Sequence, residues 1–114
     1  MRQTAEAFAA VLVKHHNRIC KPRSRTEKAV TDADIKQCVI TYGDLCRQAG
    51  MGIPMGSGTF LGEIHRLCQN KGLPPINALV VNGRTLMPGP NYPGKNWAQD
   101  INRCIAARYP ARFW

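Results

Sequence analysis

Between Ser57 and Thr85 two unlike apolar periods lie back to back, and no other part of the chain limits the fold so tightly. Phe60, Leu61, Ile64, Leu67 and Cys68 recur at helical spacing. Ala78, Leu79, Val80 and Val81 instead form an unbroken apolar run with the length and β-branching of a buried strand. A helix therefore hands over to a strand. Gly72 stands where a left-handed C-cap is wanted, Leu73-Pro74-Pro75 forbids continuation of the helix, and Asn82-Gly83 favours a tight turn with positive φ at both central residues.

The remaining segments fit around that unit. Thr4 is placed to cap a first helix running to about Ile19, with Phe8, Val11, Leu12, His15 and Ile19 on its inner side. The basic segment at about 21–30, with Pro22, Ser24 and dense like charge, predicts an exposed loop in which Arg23 and Arg25 suit either solvent or a phosphate. Thr31 to Tyr42 predicts a short capped helix or turn leading into a brief strand over Cys38 to Thr41. Thr41 to Met51 predicts a short helix closed by Gly50. Met51 to Gly58 reads as a connector. Three prolines and two glycines make about 86–95 irregular, and Asn96 caps a last helix over about 96–109, with Trp97, Ile101, Cys104, Ile105 and Arg108 on one side. Arg112, Phe113 and Trp114 follow Pro110, and the two aromatics are expected to fold back onto the core. Helix, stop, strand and turn make up the second half of a winged helix-turn-helix. The expected fold class is α+β: a small, mostly helical single domain over 1–114, winged helix-turn-helix-like, with one short sheet.

Sixteen Lys and Arg stand against seven Asp and Glu, a formal net charge of +9. The basic residues are spread along the chain, so a folded surface must carry them and a polyanionic partner is favoured. The five cysteines, odd in number and without a CxxC pair, argue against a disulfide framework and for free thiols in a reducing cytoplasm. No apolar run reaches membrane-spanning length, so no membrane partner is expected.

The order ITYGDL, AGM, FLGEI, a proline and then ALVVNG is similar to the winged-helix domain of the O6-alkylguanine alkyltransferases and alkyltransferase-like proteins, over about Val39 to Gly83. The resemblance implies DNA binding through the helix that carries Leu61 to Ile64. It does not imply repair chemistry, because the family's reactive Pro-Cys-His-Arg run has no counterpart in Pro75-Ile76-Asn77-Ala78-Leu79. The family's recognition-helix arginine is likewise unmatched at Thr59 or Phe60.

The leading expectation is a non-enzymatic nucleic-acid-binding protein, with duplex DNA favoured over RNA. Its outward helix side would present Ser57, Thr59, Glu63, Arg66 and Asn70, with Arg84 on the wing tip and Arg23 and Arg25 on the basic loop. A different class is a protein-interaction module, such as an inhibitor or accessory factor of a phage or defence system, docking an acidic protein surface through Trp97, Phe113 and Trp114. A third is a small toxin-like ribonuclease, in which His15 or His65 would carry the proton transfer. Helical neighbours point about 100° apart, so His15 and His16 do not face one phosphate together. His65 and Cys68 sit three residues apart on one helix face, but no further close pair completes a zinc site, and a core cysteine beside a half-exposed histidine is expected. No catalytic residue, metal ligand or cofactor is assigned.

Overall fold

In the computed structural model, residues 3–20, 30–50, 57–89 and 92–114 are described, with side chains from residue 5 in the first helix and from residue 60 in the fourth. The elements are α1 (Gln3–His15), continued without a break by a π-helical turn (His16–Cys20), then α2 (Asp32–Cys38), β1 (Ile40–Thr41) and α3 (Tyr42–Gln48). After these come α4 (Ser57–Asn70), a 3-10 turn (Ile76–Leu79), β2 (Val80–Val81) and α5 (Trp97–Ala106). The fold is α+β and mostly helical, as expected.

Local chemistry sets most of the boundaries. Thr31 accepts from the Asp34 amide while the Asp34 carboxylate accepts from the Thr31 amide, a capping box that starts α2. Thr41 caps α3 through the Asp44 amide, and Asn96 caps α5 through the Gln99 amide. At the end of α4, Gly72 takes φ +69°, the Gly72 amide donates to the Gln69 carbonyl, and the Leu73 amide donates to that of Cys68. This is the Schellman arrangement, with Pro74 and Pro75 behind it.

Several expectations are corrected. α1 already includes Gln3 and Thr4, so Thr4 does not stand ahead of the helix as its cap. Ser57 and Gly58 belong to α4 and not to the connector, of which 51–56 lie outside the described residues. α5 ends at Ala106, short of the expected 109, and Arg108 falls beyond it. The apolar run splits, because Ala78 and Leu79 complete a 3-10 turn that begins just after Pro75, leaving Val80 and Val81 as strand. β2 pairs in parallel with β1, Ile40 opposite Val80 and Thr41 opposite Val81.

The Asn82-Gly83 turn also differs. The Asn82 side chain accepts from the Arg84 amide at 2.8 Å, a local bond that competes with the two-residue hairpin turn. The chain reverses instead over Asn82–Met87. Positive φ falls on Leu86, and no second strand pairs with β2 after the turn among the described residues.

One core joins these elements. α1 lies against both α3 and α4, while the 3-10 turn is covered by α1, α4 and α5. Phe8, Leu12, Leu45, Ile64, Ile76, Leu79, Ile101 and Ile105 are fully buried. Burying such side chains contributes on the order of 1.5–3 kcal/mol each before the entropy of ordering is charged against it. Among the described residues no helix is long and apolar enough to cross a membrane.

Candidate nucleic-acid interface

α4 has two faces. Leu61, Ile64, His65 and Cys68 are buried against the core, whereas Arg66, Gln69 and Asn70 are exposed and Glu63 is partly so. Gly62 lies one turn before Arg66, and a β-carbon added there would stand 4.0 Å from the Arg66 guanidinium. The guanidinium therefore lies back along the helix over a position with no side chain. Ser57 and Thr59 occupy the first turn of this helix. Arg23 and Arg25 lie outside the described residues.

Arg84 is exposed on the Asn82–Met87 loop, which is closed by hydrogen bonds rather than by strand pairing. The Asn82 amide donates to the Met87 carbonyl and the Leu86 amide to the Asn82 carbonyl, each at 2.8 Å. The Asn82 side chain accepts from Arg84, and the Thr85 hydroxyl accepts from the Met87 amide at 3.2 Å. Leu86 is held at φ +55°, a left-handed conformation that costs a non-glycine residue on the order of 1 kcal/mol or more. The loop sits on the start of α3, with Gly83 beside the Thr41 methyl and Gly89 against the Tyr42 hydroxyl.

The histidines serve the core. His15 Nε2 donates to the Cys38 carbonyl at 2.7 Å, and His16 Nε2 to the Cys104 carbonyl at 2.8 Å. His65 Nδ1 accepts from the Asn77 side-chain amide at 3.2 Å. All three are buried, so the half-exposed His65 expected from the sequence is corrected. The reason is Tyr92, whose ring stacks edge-on to the imidazole at 5.7 Å and comes from a segment remote in sequence. Burial lowers the pKa of His15 and of His65 from the ordinary 6.5. A neighbouring guanidinium adds to the effect in each case, Arg18 for His15 and Arg66 for His65.

The thiols are similarly withdrawn. All five cysteines are free and buried, and burial raises Cys46 and Cys68 and pushes Cys104 up to about 12. His65 and Cys68 share the buried side of α4 without forming an activated pair. Among the described residues no group of three His, Cys, Asp or Glu converges on a metal-sized site.

Of the aromatics expected to dock a protein, Phe113 is buried, whereas Trp97 and Trp114 are half-buried. Phe113 is buried among Tyr109 and Trp114, and the Trp97 indole donates to the Ala78 carbonyl at 2.8 Å. Trp114 is half-buried, with the Arg112 guanidinium 5.7 Å from its ring centre. These two line an open groove of about 400 Å³ with Lys71, Leu73, Pro110 and Phe113. Leu73 also borders a second groove of about 450 Å³, walled by His65, Gln69, Asp100 and Arg103.

Two surface features escaped the sequence reading: the exposed pair Leu86 and Met87, and the groove beside Trp114. Leu86-Met87 lies in a proline-rich segment that could only be read as irregular. The groove depends on Lys71 and Trp114 meeting in space, for which no local signal exists. No family model, curated protein or solved structure matches the chain.

Proposed function

We propose that this chain is a non-enzymatic nucleic-acid-binding protein that takes duplex DNA. In this reading the chain is winged helix-turn-helix-like and akin to the alkyltransferase-like proteins. α4 acts as the recognition helix and Asn82–Met87 as a compact wing. The observation that carries it is the exposure of Arg66 and Asn70 on the outer side of α4 and of Arg84 on a hydrogen-bonded loop, in a chain of net charge +9. Arg66 and Asn70 are suited to base edges or phosphate, and Arg84 to a backbone phosphate. The buried imidazoles and raised thiols favour binding over catalysis. Five free thiols suit a reducing, cytoplasmic setting.

Titration against duplex DNA, structured RNA and an uncharged control across a salt series tests the reading. Duplex affinity should fall with salt, and Arg66→Ala with Arg84→Ala should reduce the log–log slope by about one per lost phosphate contact. Binding that is unchanged in the double variant would refute the placement.

A second reading, docking of an acidic protein surface, is favoured by the groove in which Lys71, Arg112 and Trp114 combine two cations with an aromatic face. Phe113 is a support for that groove and not itself an anchor. A partner recovered by the wild type and lost in Trp114→Ala, alongside nucleic-acid affinity that vanishes at physiological salt, would establish this reading in place of the first.

A further inference from the structure

Among the described residues, Leu86 and Met87 are the large hydrophobic side chains left exposed, at 41% and 50%. They are adjacent, they follow Arg84 by two and three positions, and the loop around them is braced by four hydrogen bonds. A floppy loop could hide both side chains. This one holds Leu86 at φ +55°, where leucine is disfavoured, and keeps the pair outside. A strained residue fixed by surrounding bonds and carrying an apolar side chain into solvent is a feature that packing alone does not call for.

Resting on the nucleic-acid reading above, we propose that Leu86 and Met87 form an apolar wedge that inserts into a base step of duplex DNA while Arg84 holds the flanking phosphate. Leu and Met are among the apolar side chains that minor-groove binders push between base steps, alongside Arg or Lys contacts that hold the duplex. The Asn82–Met87 loop supplies each part. The chain on either side of its tip passes the start of α3, where a β-carbon added at Gly83 would stand 3.6 Å from the Thr41 methyl and one at Gly89 3.1 Å from the Tyr42 hydroxyl, so there is little room for the loop to be pushed back. Insertion should favour pyrimidine–purine steps, which unstack at least cost. The charge of the chain selects the partner class: +9 overall and Arg84 at the tip suit a polyanion better than an apolar protein pocket.

The test uses the whole 114-residue chain and short duplexes with 2-aminopurine at a central TA step, whose fluorescence rises when the base unstacks. Wild type should raise the signal on binding. Leu86→Gly with Met87→Ser should still bind at low salt within about tenfold, because phosphate contacts supply most of the affinity, yet lose the rise. Glycine accepts the positive φ without strain, so this variant keeps the loop backbone, and a thermal melt no lower than that of wild type verifies that the fold is retained. Duplex binding by wild type without a fluorescence rise, or an equal rise in the variant, overturns the wedge and leaves the binding reading standing. Absence of duplex binding by wild type overturns both. Capture of a defined protein by wild type but not by the variant, with no unstacking, assigns the tip to protein docking and overturns the wedge.

Discussion

The imidazole of His65 and the side-chain amide of Asn77 share a buried hydrogen bond of 3.2 Å that ties α4 to the 3-10 turn preceding β2. The bond fixes Nδ1 as the acceptor and so puts the proton of the neutral ring on Nε2. Asn77 Oδ1 is already without a hydrogen-bond partner among the described residues. Replacing His65 by Ala would strand the amide nitrogen as well. We expect a loss of about 2 kcal/mol or more in urea unfolding, from an orphaned polar group and a cavity together. A change below about 0.5 kcal/mol, the level of an indifferent surface substitution, would show the bond to be dispensable.

Stability should fall in mild acid. His15 and His65 both have folded-state pKa values lowered from 6.5 by burial, with the Cys38 carbonyl and Arg18 acting on the first, and Asp100, Asn77 and Arg66 on the second. Below pH 6.5 the unfolded chain takes up protons that the folded chain refuses. Stability is therefore complete above that pH and declines on acidification until the folded-state pKa is passed. Each group contributes at most about 1.4 kcal/mol per pH unit in that window. Thermal melts between pH 7.5 and 5 should show the decline, and His15→Gln should flatten part of it. A melting temperature constant across that range would refute the assignment.

Gly94 should resist enlargement. A β-carbon there would stand 2.5 Å from both Asp100 Oδ2 and Tyr92 Cε2, within the pair whose hydroxyl-to-carboxylate bond is 2.6 Å. Gly94→Ala should break that pair, loosen Tyr92 from His65 and cost about 1–3 kcal/mol by overpacking. Retained stability, together with an unchanged tyrosine near-ultraviolet signal, would contradict the crowding.

The thiols should be inert in the folded protein. With five buried cysteines and Cys104 raised to about 12, an aromatic disulfide reagent at neutral pH should react slowly, at a rate set by unfolding. All five should react at once in denaturant. Rapid modification of even one thiol in buffer would show that its burial is not maintained.

Arg84 should bind without reading sequence. As a phosphate contact on the loop, its replacement by Ala should weaken duplexes of different sequence by the same factor, whereas Arg66→Ala on α4 should weaken some more than others. Competition between two unrelated duplexes measures both. The opposite pattern would exchange the two roles.

What the sequence determined by itself was the set of signals that act over a few residues. Thr31, Asn96, Gly50 and Gly72 end or begin helices through bonds to neighbouring amides and carbonyls, or by adopting positive φ, and Pro74 and Pro75 stop α4 whatever surrounds them. The apolar side of α4 was legible for the same reason, since helical spacing alone puts Leu61, Ile64 and Cys68 together. The tertiary structure decided everything that needed two distant segments. Val80 and Val81 are strand because Ile40 and Thr41 lie alongside them, while Ala78 and Leu79, equally apolar, turn in a 3-10 helix between α1, α4 and α5. His15 and His16, neighbours that an α-helix would point in different directions, are both buried. The chain widens to a π-helical turn at His16, and each ring finds a carbonyl from a different part of the chain, Cys38 for one and Cys104 for the other. A residue's helical or strand tendency is set by its own few neighbours, but whether a polar group is buried or exposed depends on which remote partner meets it, and that information exists only once the chain is folded.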